Sequence, residues 1–129
     1  MKAPSPALVA RRERFLRQLS GYAPPESGGP DVVALDYPGA DLFLYATSRA
    51  EKKVRALSCS KEPWTVAWLE RVAEPGRVVY DIGANVGPYT LIAAHRVGSG
   101  GHVYAFEPGY ATFAHLCDNI VLNGCQDRV

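Results

Sequence analysis

Apolar residues in this chain change their spacing twice. In "LVARRERFLRQL", residues 8–19, Leu8, Phe15, Leu16 and Leu19 fall on one side of a predicted amphipathic helix. "APPESGGP", residues 23–30, has the composition of a linker. "DVVALDYPGADLFLYA" reads as two short strands around Pro38-Gly39. A Pro-Gly pair suits a type II turn, so the connecting loop is expected to exceed two residues. "KEPWTVAWLERVAEPG" predicts a helix with Pro63 at its first position and Glu74-Pro75-Gly76 at its end. Trp64, Trp68 and Val72 recur at i, i+4 and i+8, a stripe expected to pack in the core.

From residue 77 the rhythm changes. "RVVYDI" reads as a short strand of the buried kind, and "PYTLIAAHRV" as a helix apolar around most of its circumference, stopping at Gly98. "HVYAFE" is a second strand. "YATFAHLCDNIVLNG" is a helix with Phe113, Leu116, Cys117 and Ile120 on one face, closed at Asn123-Gly124. "DRV" would open a third strand. Strand, helix, strand, helix at this spacing predicts an α/β fold built on a βαβ unit with parallel strands and a right-handed crossover.

Composition adds bounds. The 129 residues allow one domain, with 47% hydrophobic and 21% charged residues, as in ordinary globular proteins. No apolar run approaches a membrane span, and arginines interrupt the N-terminus before a secretory h-region can form. Net charge is +1, so no bulk basic field points to nucleic acid. The charge is uneven: residues 1–20 carry +4, read as a solvated helix face, and the remainder −3. Cys59, Cys117 and Cys125 show neither CxxC nor Cys/His ligand spacing. They are read as reduced thiols of a cytoplasmic protein, with no metal site.

The chemistry concentrates in "DIGANVG". Ligands of doubly wound sheets bind at the carboxyl ends of the strands, and Asp81 lies at the end of the first. Gly83 and Gly87 bracket the turn, with Ala84 and Asn85 between them, and Pro88 starts the helix whose N–H groups face the site. Glu107 ends the second strand, where a carboxylate can accept bonds from both ribose hydroxyls. An adenosine-containing cofactor is implied. A P-loop would require GxxxxGK[ST], and no such lysine follows. The dinucleotide pattern G-x-G-x-x-G has the wrong middle spacing here, and Asp81 would repel a pyrophosphate. S-adenosyl-L-methionine has no phosphate; an acid such as Asp81 can pair with its ammonium, and helix N–H groups can take its carboxylate. An NAD-binding oxidoreductase half-domain remains the alternative by class.

The segments "KEPWTVAWLERV", "VVYDIGANVGPYTLIAA", "VYAFEPGYATFAHLCDNIVLNG" and "DRV", within residues 55–129, together resemble the FkbM-type S-adenosylmethionine-dependent methyltransferases. "DIGANVG", "AFEP" and "N-I-x-L-N" occur in the family's order and spacing. The resemblance implies a Rossmann-like methyltransferase fold, here truncated after the second βα unit and preceded by a helix and a β-hairpin. Residues 1–30 would be the helix and linker, and 31–129 the first part of the cofactor-binding domain. It also implies O-methylation of a small acceptor, a sugar or secondary-metabolite hydroxyl. On the matched positions, Asp81, Gly83, Ala84, Asn85 and Gly87 would form the loop at the methionine end. Glu107, with Pro108 beside it, would hold the ribose. Glu62 and Thr65 match a segment lying over the cofactor. The family's domain continues for further strands, so the chain is expected to be a fragment, with an uncovered sheet edge prone to self-association and with activity in doubt. A non-catalytic cofactor-binding fragment is therefore a further reading. None of His95, His102 and His115 is placed to act as a base, and the catalytic residue is unassigned.

Overall fold

The computed structural model describes residues 6–18 and 31–129. The expected linker at 23–30 lies outside them. The first helix, α1 (Pro6–Gln18), begins two residues before the predicted start, and its Phe15 is buried against Val32, Phe43 and Leu122. Two short strands follow, β1 (Asp31–Ala34) and β2 (Phe43–Ala46), paired antiparallel with Asp31 opposite Ala46. The eight-residue connection carries Pro38-Gly39, in keeping with the longer loop expected.

Two helices were not anticipated: α2 (Arg49–Arg55) and the single turn α3 (Ser58–Lys61). Ser48 caps α2, its hydroxyl accepting from Glu51 N at 3.1 Å. Asp36, from the hairpin loop, caps α3: Oδ1 accepts from Cys59 N at 2.9 Å, and Oδ2 from Ser60 N at 2.8 Å and from the Ser60 hydroxyl. Burial works to raise the Asp36 pKa, but these bonds outweigh it and hold the carboxyl below its usual range.

Helix α4 (Pro63–Val72) starts on Pro63 as predicted, yet it buries a different stripe. Val66, Leu69 and Ala73 enter the core, whereas Trp64 is 72% exposed and Trp68 48%. The sequence offers two stripes on one helix, and packing against the following helix, α5 (Pro88–Val97), selects the smaller side chains.

The second half is the predicted βαβα succession: β3 (Val78–Ile82), α5 (Pro88–Val97), β4 (His102–Phe106) and α6 (Tyr110–Asn123). Strands β3 and β4 are parallel, with Tyr80 opposite Tyr104 and Ile82 opposite Phe106. Helix α5 is the hub. Leu91, Ile92, Ala93, Ala94 and Val97 are each at most 1% exposed, and they meet Val79 and Val103 of the sheet as well as Val66, Leu69 and Leu44.

Only one face of this sheet is covered. Val79 and Val103 point inward, whereas Val78, Tyr80, Ile82, Tyr104 and Phe106 are exposed, correcting the expectation that "RVVYDI" is a strand of the buried kind. On α6, Leu116 is buried, Ile120 is half-buried, and Phe113 and Cys117 are exposed, so the predicted apolar face is covered only along part of its width. The third strand does not form: residues 126–128 make a turn. Its pairing nonetheless begins, because Val103 N donates to Arg128 O at 2.7 Å across the free edge of β4.

Candidate cofactor cleft at the carboxyl ends of β3 and β4

The turn after β3 is built around its own backbone. Gly83 N and Ala84 N both donate to Phe106 O, at 2.9 and 3.0 Å, tying the turn to the end of β4. Gly87 has φ 95° and caps α5; a Cβ there would lie 2.6 Å from Leu116 Cδ1, so the position excludes a side chain on two counts. Gly83 has φ 86°, and a Cβ there would meet nothing within 4 Å. That backbone therefore borders open space that a ligand can occupy. Asn85 is the single non-glycine residue of positive φ among the described residues, and its Oδ1 accepts from Val86 N at 2.9 Å. Such a local side-chain bond makes asparagine tolerant of this conformation.

Glu107 lies just past β4, and both its carboxylate oxygens are engaged. Oε2 accepts from Asn85 N at 2.9 Å and Oε1 from Gly109 N at 2.8 Å. The acid thus holds the glycine turn and the start of α6 together. Pro108 is exposed beside it. Asp81 accepts the Thr90 hydroxyl at 2.5 Å, Thr90 being fully buried on α5. Asp81 therefore sits beneath the turn and braces α5.

A cleft of ≈ 390 Å³ lies between this turn and the corner joining α3 to α4. Gly83, Ala84, Asn85 and Pro88 line one side, and Arg55, Lys61, Glu62 and Tyr89 are also among its lining residues. The structure thus brings Glu62 to the glycine turn, 21 positions away in sequence at Gly83. Thr65 does not line the cleft; its hydroxyl donates to Glu62 Oε2 at 3.1 Å. Tyr89 donates to Ser58 O at 3.2 Å, and burial together with the Glu62 carboxylate pushes its phenol up to about 12. Arg55, Lys61 and Tyr89 were not singled out from the sequence, because nothing local to "EKKVR" or "PYT" distinguishes a cleft residue from a solvated one.

The run "N-I-x-L-N" proves to be a fastener. Asn119 is fully buried; its Nδ2 donates to Val86 O at 2.8 Å and its Oδ1 accepts from Tyr45 N at 2.6 Å. Asn123 does the same one turn later, accepting from Phe43 N at 2.9 Å and donating to Phe43 O at 2.7 Å. The two amides satisfy the free edge of β2 as a neighbouring strand would.

The histidines lie elsewhere. His95 faces the Tyr37 ring at 6.4 Å, His102 lies against Tyr104 at 4.6 Å, and His115 Nδ1 is 3.7 Å from Glu51 Oε1. Among the described residues no cluster of His, Cys, Asp or Glu could hold a metal ion, and no helix is long and apolar enough to cross a membrane.

No protein-family profile matches the chain. Over 55 residues it is 46% identical to the 31-O-demethyl-FK506 methyltransferase FkbM of Streptomyces tacrolimicus; the match spans 43% of this chain and 21% of the relative. The chain thus covers about a fifth of the length of the curated relative it matches. The resemblance to FkbM-type methyltransferases is borne out over that stretch. Among solved structures, the S-adenosylmethionine-dependent methyltransferase from Agrobacterium tumefaciens matches with 18% identity and a TM-score of 0.49, across 84% of this chain and 32% of that one.

Proposed function

We propose that this chain forms part of the cofactor cleft of an S-adenosyl-L-methionine-dependent methyltransferase that methylates a hydroxyl of a small acceptor, a sugar or a secondary metabolite. The observation that carries the reading is the cleft in which Glu62 shares the open space with the glycine turn. Glu62 favours a cationic group on the ligand, and Arg55 and Lys61 in the same lining favour an anionic one, so the cleft suits a ligand end that carries both charges. The residues fit the cofactor: Gly83 borders open space, and Glu107 lies beside the turn with lone pairs left over from its two N–H bonds.

In this reading Gly83, Ala84 and Asn85 form the wall at the methionine end, Gly87 closes the turn against Leu116 outside the cleft lining, and Asp81 braces the helix behind them. Glu107, flanked by Pro108, accepts the ribose hydroxyls, and Glu62 faces the ammonium. The bound cofactor would supply an already activated methyl group on a sulfonium. The chain's contribution is then to align and desolvate the donor, which is a large part of the work of an in-line displacement. No catalytic base is assigned to the described residues. A cytoplasmic location belongs to the same proposal, supported by three free thiols. So does self-association through the sheet, supported by its uncovered face and by the edge of β4, which Arg128 only begins to pair.

The test is a calorimetric titration of the chain with S-adenosylhomocysteine and, separately, with NAD. S-adenosylhomocysteine is expected to bind, and Glu107→Ala to abolish it. Binding of NAD in its place would overturn the methyltransferase reading in favour of an oxidoreductase half-domain.

A further inference from the structure

The cleft holds charges of both signs that do not neutralise each other. Among the described residues neither Arg55 nor Lys61 forms an ion pair with Glu62, although all three line the same space. Lys61 is exposed and its Nζ donates to Val54 O at 3.1 Å. Arg55 is half-buried, and its charge is felt by Glu51 one turn earlier on α2, but no hydrogen bond or close ion pair engages its guanidinium among the described residues. A half-buried guanidinium at the wall of an open cleft keeps hydrogen-bond donors that a ligand can take.

The backbone around Arg55 is fixed from several sides. Arg55 O accepts the Ser58 hydroxyl at 2.8 Å, Ser58 O accepts the Tyr89 hydroxyl at 3.2 Å, and Asp36 clamps the next two N–H groups. Helix α5 and the hairpin thereby hold the end of α2 against the glycine turn. Such a support is what a positioned binding residue requires.

We propose that Arg55 receives the carboxylate of an α-amino-acid group at the end of the ligand, with Glu62 opposite the ammonium. This rests on the cofactor reading above and names the residue that selects its amino-acid end. A guanidinium presents a planar fork of donors that matches a carboxylate, whereas Lys61 is a point charge already engaged with a backbone carbonyl. A dinucleotide has no zwitterionic end to satisfy the pair.

The test compares S-adenosylhomocysteine with 5′-methylthioadenosine, which keeps the nucleoside and thioether but lacks the amino-acid group. Arg55→Gln is expected to weaken S-adenosylhomocysteine by about tenfold or more, the scale of a hydrogen bond to a charged group. It should leave methylthioadenosine unchanged, and Arg55→Lys should recover part of the loss. Equal weakening of both ligands would show that Arg55 only supports the fold, and an undiminished affinity for S-adenosylhomocysteine would place the carboxylate elsewhere; either overturns this proposal alone. If the unaltered chain binds neither ligand, the cofactor reading falls and takes this one with it.

Discussion

The carboxylate of Glu107 accepts two backbone N–H bonds before any ligand arrives. Each oxygen retains a lone pair, so the same acid can organise the turn and receive ribose hydroxyls. The structural use was not visible in "AFEP"; the motif marked the residue, and the fold revealed its bonds to Asn85 and Gly109. The cysteines make the same point in a testable form. All three read as reduced thiols, with Cys117 on an apolar helix face, but Cys59 and Cys125 are the buried ones and Cys117 is exposed. Burial, reinforced by the Asp36 carboxylate, pushes the Cys59 thiol up to about 12, and burial pushes Cys125 to about 11. The thiolate is the reactive form, so in native protein at pH 8 iodoacetamide should label Cys117 and spare the other two. Peptide mass mapping reads the result; early labelling of Cys59 would show that α3 does not stay closed over it.

At the scale of elements, α6 is docked on the hairpin by amides. Asn119 alone joins β2, α6 and the glycine turn through Tyr45 N and Val86 O. Asn119→Ala leaves both groups without a side-chain partner, at about 1–3 kcal/mol for each that stays buried and unpaired. A clear fall in the melting midpoint is expected, with a smaller fall for Asn123→Ala, whose site is only partly buried. An Asn119→Ala variant that melts with the parent would refute the fastening role. Element types and most boundaries were legible because period and punctuation are local: Pro63 and Pro88 both start helices, and Gly98 and Gly124 both follow helix ends. The buried stripe of α4 was not, since Trp64-Trp68-Val72 and Val66-Leu69-Ala73 are equally periodic. The choice belongs to the neighbour, α5. Helices α2 and α3 escaped notice because seven- and four-residue helices are too short to display a period.

At the scale of the molecule, the sheet presents Val78, Tyr80, Ile82, Tyr104 and Phe106 to solvent on one face. Their rings lie together, Tyr80 stacking on Tyr104 at 5.2 Å and on Phe106 at 6.4 Å. A contiguous apolar patch of this kind gains about 25 cal/mol for each Å² withdrawn from water. The chain is therefore expected to self-associate, with a sedimenting mass that rises with concentration, and Tyr80→Lys with Ile82→Lys should return it to monomer. A monomer at all concentrations would contradict this. What the sequence determined alone was the succession of elements, the parallel βα units and the turn chemistry at residues 81–87, because these depend on local sterics, side-chain period and the shape of a glycine turn. The tertiary structure decided which faces are buried, that Glu62 and Arg55 reach the glycine turn, and that the asparagines of α6 close the edge of β2. Those outcomes depend on which distant surfaces meet, and burial and hydrogen-bond satisfaction select among alternatives that are equal in local pattern.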